Sequence, residues 1–194
     1  MSEQTGRRER KKAQTRKALA DAALELFLDR GYDQVGVREV ADAADVSVTT
    51  LFKYFPSKES LVFDIDEDVE AALVEAVRGR APGQSVLRAL REHILHQATA
   101  VVAYPHTSAF TRMVEDTPAL RDYSRRMWLR HETALARAVT DEIDAPSDDI
   151  ACAALARFTL EAVALAHQHP DPPQAIDTIF TLLERGWAAT HPDA

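Results

Sequence analysis

Cysteine is almost absent from this chain of 194 residues, which contains only Cys152. A disulfide within the chain needs two cysteines, so a disulfide-stapled fold is excluded and a reducing cytoplasm is the expected compartment. No apolar run approaches the roughly 18 residues that a membrane span requires. The basic residues near the N-terminus are not followed by the apolar stretch of an export signal. We therefore expect a cytoplasmic protein with no membrane partner.

Glycine is also scarce, at six residues, and no Asn-Gly or Asp-Gly pair marks a β-hairpin. No stretch shows a sustained alternation of apolar and polar residues, so a β-sheet is not expected. Apolar residues recur instead at helical spacing, which predicts an all-α fold. The predicted helices span 13–30, 37–44, 48–55, 57–78, 85–103, 105–115, 118–143, 147–168 and 172–189. Gly31 is placed to end the first helix and Ser57 to cap the fourth.

The net charge of −8 is distributed unevenly along the chain. Residues 1–60 hold 11 Lys/Arg and 10 Asp/Glu, whereas residues 61–194 hold 12 and 21. Seven basic residues lie within 7–17, where Glu9 is the only acid. Such a segment can neutralise nucleic-acid phosphates or serve solubility alone, and its charge does not distinguish the two. We predict that residues 1–12 form a basic flexible arm.

Two short predicted helices, 37–44 and 48–55, meet through a turn of three residues, 45–47. Small and apolar residues of both helices can pack inward, and Ser47 can cap the second helix and direct its first turn outward. The exposed positions are then Val48, Thr49, Thr50, Lys53 and Tyr54. This is how a helix-turn-helix presents a recognition helix to the major groove of DNA. The sequence thus predicts a DNA-binding domain over residues 13–56.

The same segment resembles the DNA-binding domain of the TetR family of bacterial transcriptional regulators. The resemblance covers about 45 residues in order and spacing. It rests on Gly31-Tyr32, Val40-Ala41 with Ala44, Val46-Ser47, Leu51-Phe52, Tyr54-Phe55 and Lys58-Glu59-x-Leu61. It implies phosphate contacts by Arg38, Thr50, Tyr54 and Lys58. It implies base reading by Val48, Thr49 and Lys53, with Ser47 also at the DNA-binding surface.

Three positions depart from the family's pattern. Asp45 stands where glycine is usual, so a left-handed backbone there would cost about 1 kcal/mol, which Asp tolerates better than most residues. Gly36 replaces a Ser/Thr cap, a loss of only a few tenths of a kcal/mol. Phe52 replaces a frequent Tyr, which removes a hydroxyl and is expected to keep the packing. None of these departures removes the motif.

The C-terminal region, 57–194, is predicted to bind an effector and to form a homodimer. The helix over 148–168 is apolar around most of its circumference, which indicates burial from two sides. With the last helix it is the candidate for a four-helix dimer interface. The predicted interface residues are Leu155, Phe158, Ala162, Ile176, Phe180, Leu183 and Trp187. The alternative is an ordinary monomer core.

Aromatic, Met and His side chains share one face of the middle helices. They could line an apolar pocket with a few polar groups, or they could be plain core with a satisfied histidine. The predicted effector-binding residues are Phe110, Met113, Tyr123, Met127, Trp128 and His131. The run 116–121, with Trp128 and Glu132 behind it, also resembles the C-terminal domain type described as acyl-CoA-like ligand binding.

No catalytic or cofactor motif occurs in the sequence, so neither enzymatic activity nor a cofactor is expected. His93 with His96, and His167 with His169, are pairs without a cysteine or an obvious third ligand nearby, so no metal site is predicted. The sequence predicts a ligand-responsive regulator, most simply a repressor, that binds double-stranded operator DNA and an unknown small-molecule effector. The alternative is a helical small-molecule-binding protein or enzyme without regulatory DNA binding.

Overall fold

The computed structural model of the chain describes residues 2–101 and 107–190. Within them lie nine α-helices, and the predicted all-α fold is confirmed. Single 3-10 turns are found at Tyr32–Gln34 and Glu59–Leu61. The helices are α1 (Ser2–Arg30), α2 (Val37–Ala43), α3 (Val48–Tyr54), α4 (Asp66–Arg78), α5 (Val86–Val101), α6 (Thr107–Asp116), α7 (Pro118–Glu142), α8 (Ile150–His167) and α9 (Pro172–Thr190).

The chain divides into two compact units. The N-terminal unit comprises Met1–Ile65 and Ser108–Ser124, and the C-terminal unit comprises Asp66–Thr107 and Arg125–Ala194. The sequence interpretation divided the chain into 13–56 and 57–194. The compact units differ from that division because the first of them also takes in most of α6 and the first turns of α7.

The N-terminal unit is built on α1, which is longer than predicted. It begins at Ser2, so residues 2–12, which were expected to form a flexible arm, continue the helix. Leu19, Ala23 and Phe27 lie on its buried face. The helix ends where predicted, because Gly31 adopts φ 88° and donates its N–H to the Phe27 carbonyl at 2.9 Å.

Residues from five helices share the core of this unit. Leu120 of α7 is fully buried in it, and Phe110 and Met113 of α6 pack against it. The other buried side chains are Leu19, Ala20, Ala23, Phe27, Tyr32, Val35, Val40, Ala41, Leu51, Phe55, Leu61 and Val62.

The predicted helix 57–78 is interrupted. Ser57 does cap a turn, since its Oγ accepts from Ser60 N–H at 3.3 Å and Ser60 Oγ accepts from Ser57 N–H at 3.2 Å. That turn is a 3-10 turn, however, and α4 begins only at Asp66. The Asp64 carbonyl accepts from the Arg16 guanidinium of α1, so its partner is a distant side chain and not a backbone N–H of α4. The prediction of one continuous helix was wrong because it could not include this long-range contact.

The C-terminal unit packs α4, α5, α8, α9 and most of α7 around one core. That core includes Leu90, Leu135, Ala156, Ile176 and Phe180, each almost fully buried. Asp149 caps the start of α8, since its Oδ1 accepts from the N–H groups of Ala151 and Cys152 at 2.8 and 2.9 Å. None of the described helices combines the length and the apolar character needed to cross a membrane.

Candidate nucleic-acid interface

The turn between α2 and α3 depends on an uncommon backbone conformation at Asp45. Asp45 has φ 52°, the left-handed conformation that its place in the motif led us to expect. The chain reverses there, and Val46 N–H donates to the Ala41 carbonyl at 2.9 Å. Asp is among the residues that tolerate this conformation best, so the turn forms without glycine.

Ser47 caps α3 as predicted. Its Oγ accepts from the Thr50 N–H at 3.1 Å and lies 2.9 Å from the Thr50 hydroxyl. One of the helix's unpaired N–H groups is thereby satisfied, and the first turn of α3 is fixed on the outside of the unit. Leu51 and Phe55 anchor the opposite side of the helix, since both are almost fully buried.

The outer face of α3 carries the predicted DNA-reading residues. Thr49 and Lys53 are exposed, whereas Val48, Thr50 and Tyr54 are half-buried. Arg38 on α2 is exposed as well. These residues lie on the two helices of the motif, but their contacts with DNA stay a prediction.

Phe52 belongs to the same outer face, which the sequence interpretation did not foresee. Its side chain is 47% exposed, so it does not take part in the core packing that was expected of it. The signal was present in the sequence. Phe52 follows the inward-facing Leu51 and precedes Lys53, so helical spacing places it outside. An exposed phenylalanine on a recognition helix offers an apolar contact to thymine methyl groups.

Arg16 is a second residue whose role the sequence did not reveal. Its guanidinium donates to the Tyr54 carbonyl at 3.3 Å and to the Asp64 carbonyl, and it lies 4.7 Å from the centre of the Phe55 ring. It therefore links α1 to the end of α3 instead of adding to the phosphate-binding charge of residues 7–17. Its spacing from Leu19 and Phe27 could have indicated this, because it places Arg16 on the buried face of α1.

Lys58, a predicted phosphate contact, is turned toward the interior of the N-terminal unit. Its ammonium group donates to the Tyr32 carbonyl and lies 4.0 Å from the centre of the Tyr32 ring. Burial lowers the pKa of this amine. A cation held by a backbone carbonyl and an aromatic ring is less available to DNA, so the structure favours a positioning role for Lys58.

The start of α2 is held by Glu39, which compensates for the missing cap at Gly36. Its carboxylate accepts from the Gly36 N–H at 2.8 Å and pairs with Arg30 at 2.7 Å. The Gly36 N–H and the Arg30 guanidinium lower the pKa of Glu39. This contact is half of a capping box, and it joins α1 to the motif.

The six predicted effector residues are split between the two units. Phe110, Met113 and Tyr123 belong to the N-terminal unit. There Phe63 packs edge-on against Phe110 and is stacked on Tyr123, with ring centroids 6.2 and 5.3 Å apart. The structure therefore assigns these rings to a packed aromatic cluster. Their predicted effector contacts stay a prediction.

The other three predicted effector residues lie together on α7 in the C-terminal unit. Met127 and His131 are buried, and the Trp128 ring meets the His131 ring edge-on, with centroids 5.3 Å apart. His131 Nε2 lies 2.7 Å from Asp66 Oδ1, at the first residue of α4, and Arg130 pairs with the other carboxylate oxygen. This cluster connects α7 to the N-terminal end of α4.

A small apolar cavity lies between α5, α8 and α9, with a volume of about 40 Å³. It is lined by Ile94, Gln97, Ala98, Val163, Ala166, Pro172 and Ile176. Drug-sized ligands occupy pockets of roughly 300 to 1,000 Å³, so this cavity can hold such a molecule only if its walls move apart.

Most of the predicted dimer residues are buried within their own chain. Leu155, Ala162, Ile176, Phe180 and Trp187 are buried in the core of the C-terminal unit, where a partner subunit could not touch them. We therefore revise the assignment for these five. Phe158 is 51% exposed and Leu183 is half-buried. The exposed side of the two helices carries three further large apolar residues, Ile150, Leu165 and Leu182.

Among the side chains that the structure describes, no three His, Cys, Asp or Glu are grouped so that they could hold a metal ion. His93 is partly buried, which lowers its pKa, and nearby His96 lowers it further. His167 lies outside the described side chains.

Comparison with known proteins identifies the motif and its context. Residues 19–65 match the family described as bacterial regulatory proteins, tetR family. The HTH-type transcriptional regulator TcmR of Streptomyces glaucescens is 32% identical over 152 residues, which cover 74% of this chain and 67% of TcmR. The chain belongs to the TetR family. It is a helix-turn-helix transcriptional regulator and not an enzyme.

A second relative and one solved structure are also similar to this chain. The repressor KstR of Rhodococcus jostii is 35% identical over 131 residues, which cover 65% of this chain and 60% of KstR. The crystal structure of NalD of Pseudomonas aeruginosa, the secondary repressor of a multidrug efflux pump, shares the fold. Its TM-score is 0.61 at 21% identity, covering 90% of this chain and 97% of NalD. The acyl-CoA-like type of C-terminal domain is not confirmed by these relatives and stays a prediction.

Proposed function

We propose that this TetR-family protein is a cytoplasmic repressor that binds a palindromic operator as a homodimer and leaves it when a small molecule binds the C-terminal unit. The observation that carries the proposal is α3 itself. It is capped by Ser47, anchored by Leu51 and Phe55, and presents an outer face of short polar, basic and aromatic side chains. These are the features of a recognition helix in the major groove.

The residues of the motif divide into two roles. Val48, Thr49 and Lys53 read base edges, and Phe52 adds contact with thymine methyl groups because its ring is exposed beside them. Arg38, Thr50 and Tyr54 bind phosphates and so fix the register of the helix on DNA. Lys58 supports the motif from within, through its contact with Tyr32.

Dimerisation uses the exposed side of α8 and α9. Phe158, Leu165 and Leu182 are 51%, 56% and 65% exposed, although all three are large apolar side chains. A set of large apolar side chains exposed on two adjacent helices marks an interaction surface. A twofold pair of these faces makes a four-helix interface and supplies two recognition helices for two half-sites.

Release from DNA requires a connection between the effector and the recognition helix. Asp66, the first residue of α4, pairs with Arg130 and His131 of α7. A ligand that moves α7 therefore acts on the first residue of α4, which follows the DNA-binding segment directly. It weakens DNA binding only if its affinity is higher for the arrangement that does not fit the operator.

The operator can be sought in the DNA upstream of the protein's own gene and the neighbouring genes. We expect the purified dimer to protect a palindrome whose half-site centres are spaced by whole turns of the double helix. Protection that is uniform along the DNA, or absent at low salt, would contradict the proposal.

A further inference from the structure

The cavity of about 40 Å³ in the C-terminal unit lies between the second half of α5, the last turns of α8 and the start of α9. Protein interiors are closely packed, and voids larger than a water molecule are few. This cavity is larger, since about 10 to 15 Å³ of such volume is enough for one water. Its size and position therefore raise the question of what occupies it.

The surface of the cavity is apolar. Its floor is formed by Ile94, Ala166 and Ile176, which are buried. A water molecule needs at least two polar partners, so a site of this kind stays dry and binds apolar molecules. An engineered apolar cavity of about 150 Å³ holds benzene or xenon, and this one has about a quarter of that volume. It suits the end of an aliphatic chain better than an aromatic ring.

The edge of the cavity is accessible from the surface of the unit. Gln97 at the edge is exposed, and Ala98, Val163 and Pro172 are half-buried. An aliphatic chain can therefore enter with its hydrocarbon end first and leave a polar group in water beside Gln97. The reverse orientation is unfavourable, because the apolar walls offer a buried polar group no hydrogen bond.

Two of the three walls are linked by an ion pair. Arg91 lies one turn before Ile94 on α5, and Asp177 follows Ile176 on α9. Arg91 Nε and Nη2 lie 3.0 and 2.8 Å from Asp177 Oδ1, so this pair sets the register of α5 and α9 beside the cavity. The third wall is α8. A ligand that needs more room than the cavity offers is therefore expected to displace α8.

The other side of α8 belongs to the proposed dimer surface. Leu165 is 56% exposed, and it lies in sequence between Val163 and Ala166, which both line the cavity. α8 also contacts α7 through the ion pair of Arg157 with Glu132, at 3.7 Å. A displacement of α8 would therefore act both on the surface that pairs the subunits and on the helix that holds the start of α4.

We propose that this cavity is the effector site, and that it takes the hydrocarbon end of an aliphatic molecule whose polar group stays at the edge. The inference rests on the proposed function, because it names the site and the ligand class of the same regulator. The six effector residues predicted from the sequence do not line this cavity. Binding moves α8 away from α5 and α9, which alters the pairing of the subunits and the spacing of their recognition helices.

The test compares 1-pentanol with 1,5-pentanediol, which has the same chain and a hydroxyl at both ends. Binding is followed by NMR titration of the full-length protein, labelled at the methyl groups of Ile and Val. The signals of Ile94, Val163 and Ile176 should shift with pentanol, whereas that of Ile150, exposed at the start of α8, should not. Pentanol should bind at least about tenfold more tightly than the diol, whose second hydroxyl would be buried without a partner.

The decisive variant is Ala166→Leu, which fills the cavity. Ala162→Leu is the matched control, because Ala162 is buried one turn earlier on α8 and does not line the cavity. Ala166→Leu should reduce pentanol binding at least about tenfold and keep or raise the melting temperature, since its side chain enters a void. Ala162→Leu should lower the melting temperature by overpacking and keep pentanol binding. Val163→Ile is a smaller filling change that should also weaken binding.

Three results would overturn the assignment. They are equal or absent binding of the two probes by the wild type, methyl shifts that avoid the cavity, and pentanol binding that survives both Ala166→Leu and Val163→Ile. Operator binding is measured separately, without a probe. A protein that binds its operator but not pentanol at the cavity rejects this site alone. A protein that binds pentanol there but no specific operator rejects the proposed regulation.

Discussion

The Arg16 guanidinium donates a hydrogen bond to the backbone carbonyl of Tyr54, 38 residues away, at a distance of 3.3 Å. Tyr54 is the last residue of the recognition helix, and its carbonyl has no partner within α3. Arg16 therefore caps the C-terminal end of α3, and Ser47 caps its N-terminal end. The orientation of the helix is set from both termini.

Replacing Arg16 with Ala should lower both stability and operator affinity. The variant loses charge-assisted hydrogen bonds to two carbonyls and a cation–π contact with Phe55, so we expect a loss of about 2 kcal/mol in the free energy of unfolding. Thermal melting and operator binding measure the two effects. Lys12→Ala is the control, since Lys12 is exposed and should leave the melting temperature unchanged. An Arg16→Ala protein that melts normally would contradict the positioning role.

Replacing Phe52 with Ala should reduce operator affinity without reducing stability. The ring is 47% exposed in the protein alone, and the proposed contact with DNA would bury it. Losing its contact with thymine methyl groups should cost about 1 kcal/mol, or roughly fivefold in affinity. Binding to operators with uracil in place of thymine provides the check. The wild type should lose affinity on the uracil operator, and Phe52→Ala should not distinguish the two.

Much of the DNA-binding motif could be predicted from the sequence because its determinants are local. The cap at Ser47, the end of α1 at Gly31 and the left-handed turn at Asp45 each depend on a few neighbouring residues. The helical spacing of apolar residues also predicted the all-α fold.

The remaining features depend on contacts between distant residues. The break before Asp66 follows from the capture of the Asp64 carbonyl by Arg16, 48 residues away. The burial of Ile176 and Phe180 within the chain depends on how α5, α8 and α9 pack. An apolar stripe looks the same in sequence whether it faces its own core or a partner subunit, so five of the seven predicted interface residues were misassigned.

Replacing Asp45 with Ala should destabilise the N-terminal unit by about 1 kcal/mol. Alanine lacks the short polar side chain that eases a backbone at φ 52°. Asp42→Ala is a matched control, because Asp42 is an exposed residue within α2, where alanine is favourable. Chemical denaturation of both variants measures the difference. If Asp45→Ala lowers the free energy of unfolding by less than Asp42→Ala does, the turn at Asp45 is not strained as proposed.

Replacing Phe158 with Arg should convert the dimer into a monomer. The side chain is exposed on α8, so the change places a charge in the proposed interface and leaves the core of each chain intact. Light scattering should show the mass of one chain, with helical content unchanged. Leu129→Arg is the control, since Leu129 is 52% exposed on α7 and outside this surface. A Phe158→Arg protein that remains dimeric would show that the interface lies on another surface.

Lys53 provides the most direct test of base reading by α3. Equilibrium binding of the wild type and Lys53→Ala should be measured on the operator and on a set of symmetric single-base-pair variants, at one fixed salt concentration. Because Lys53 is exposed on the last turn of α3, the substitution should weaken binding and relax the preference at one position of each half-site, while the other positions keep theirs. Tyr54→Phe, which removes only the proposed phosphate contact, should weaken binding to every variant alike. If Lys53→Ala instead keeps the affinity and the full base preference of the wild type, the outer face of α3 does not read the operator and the account is wrong.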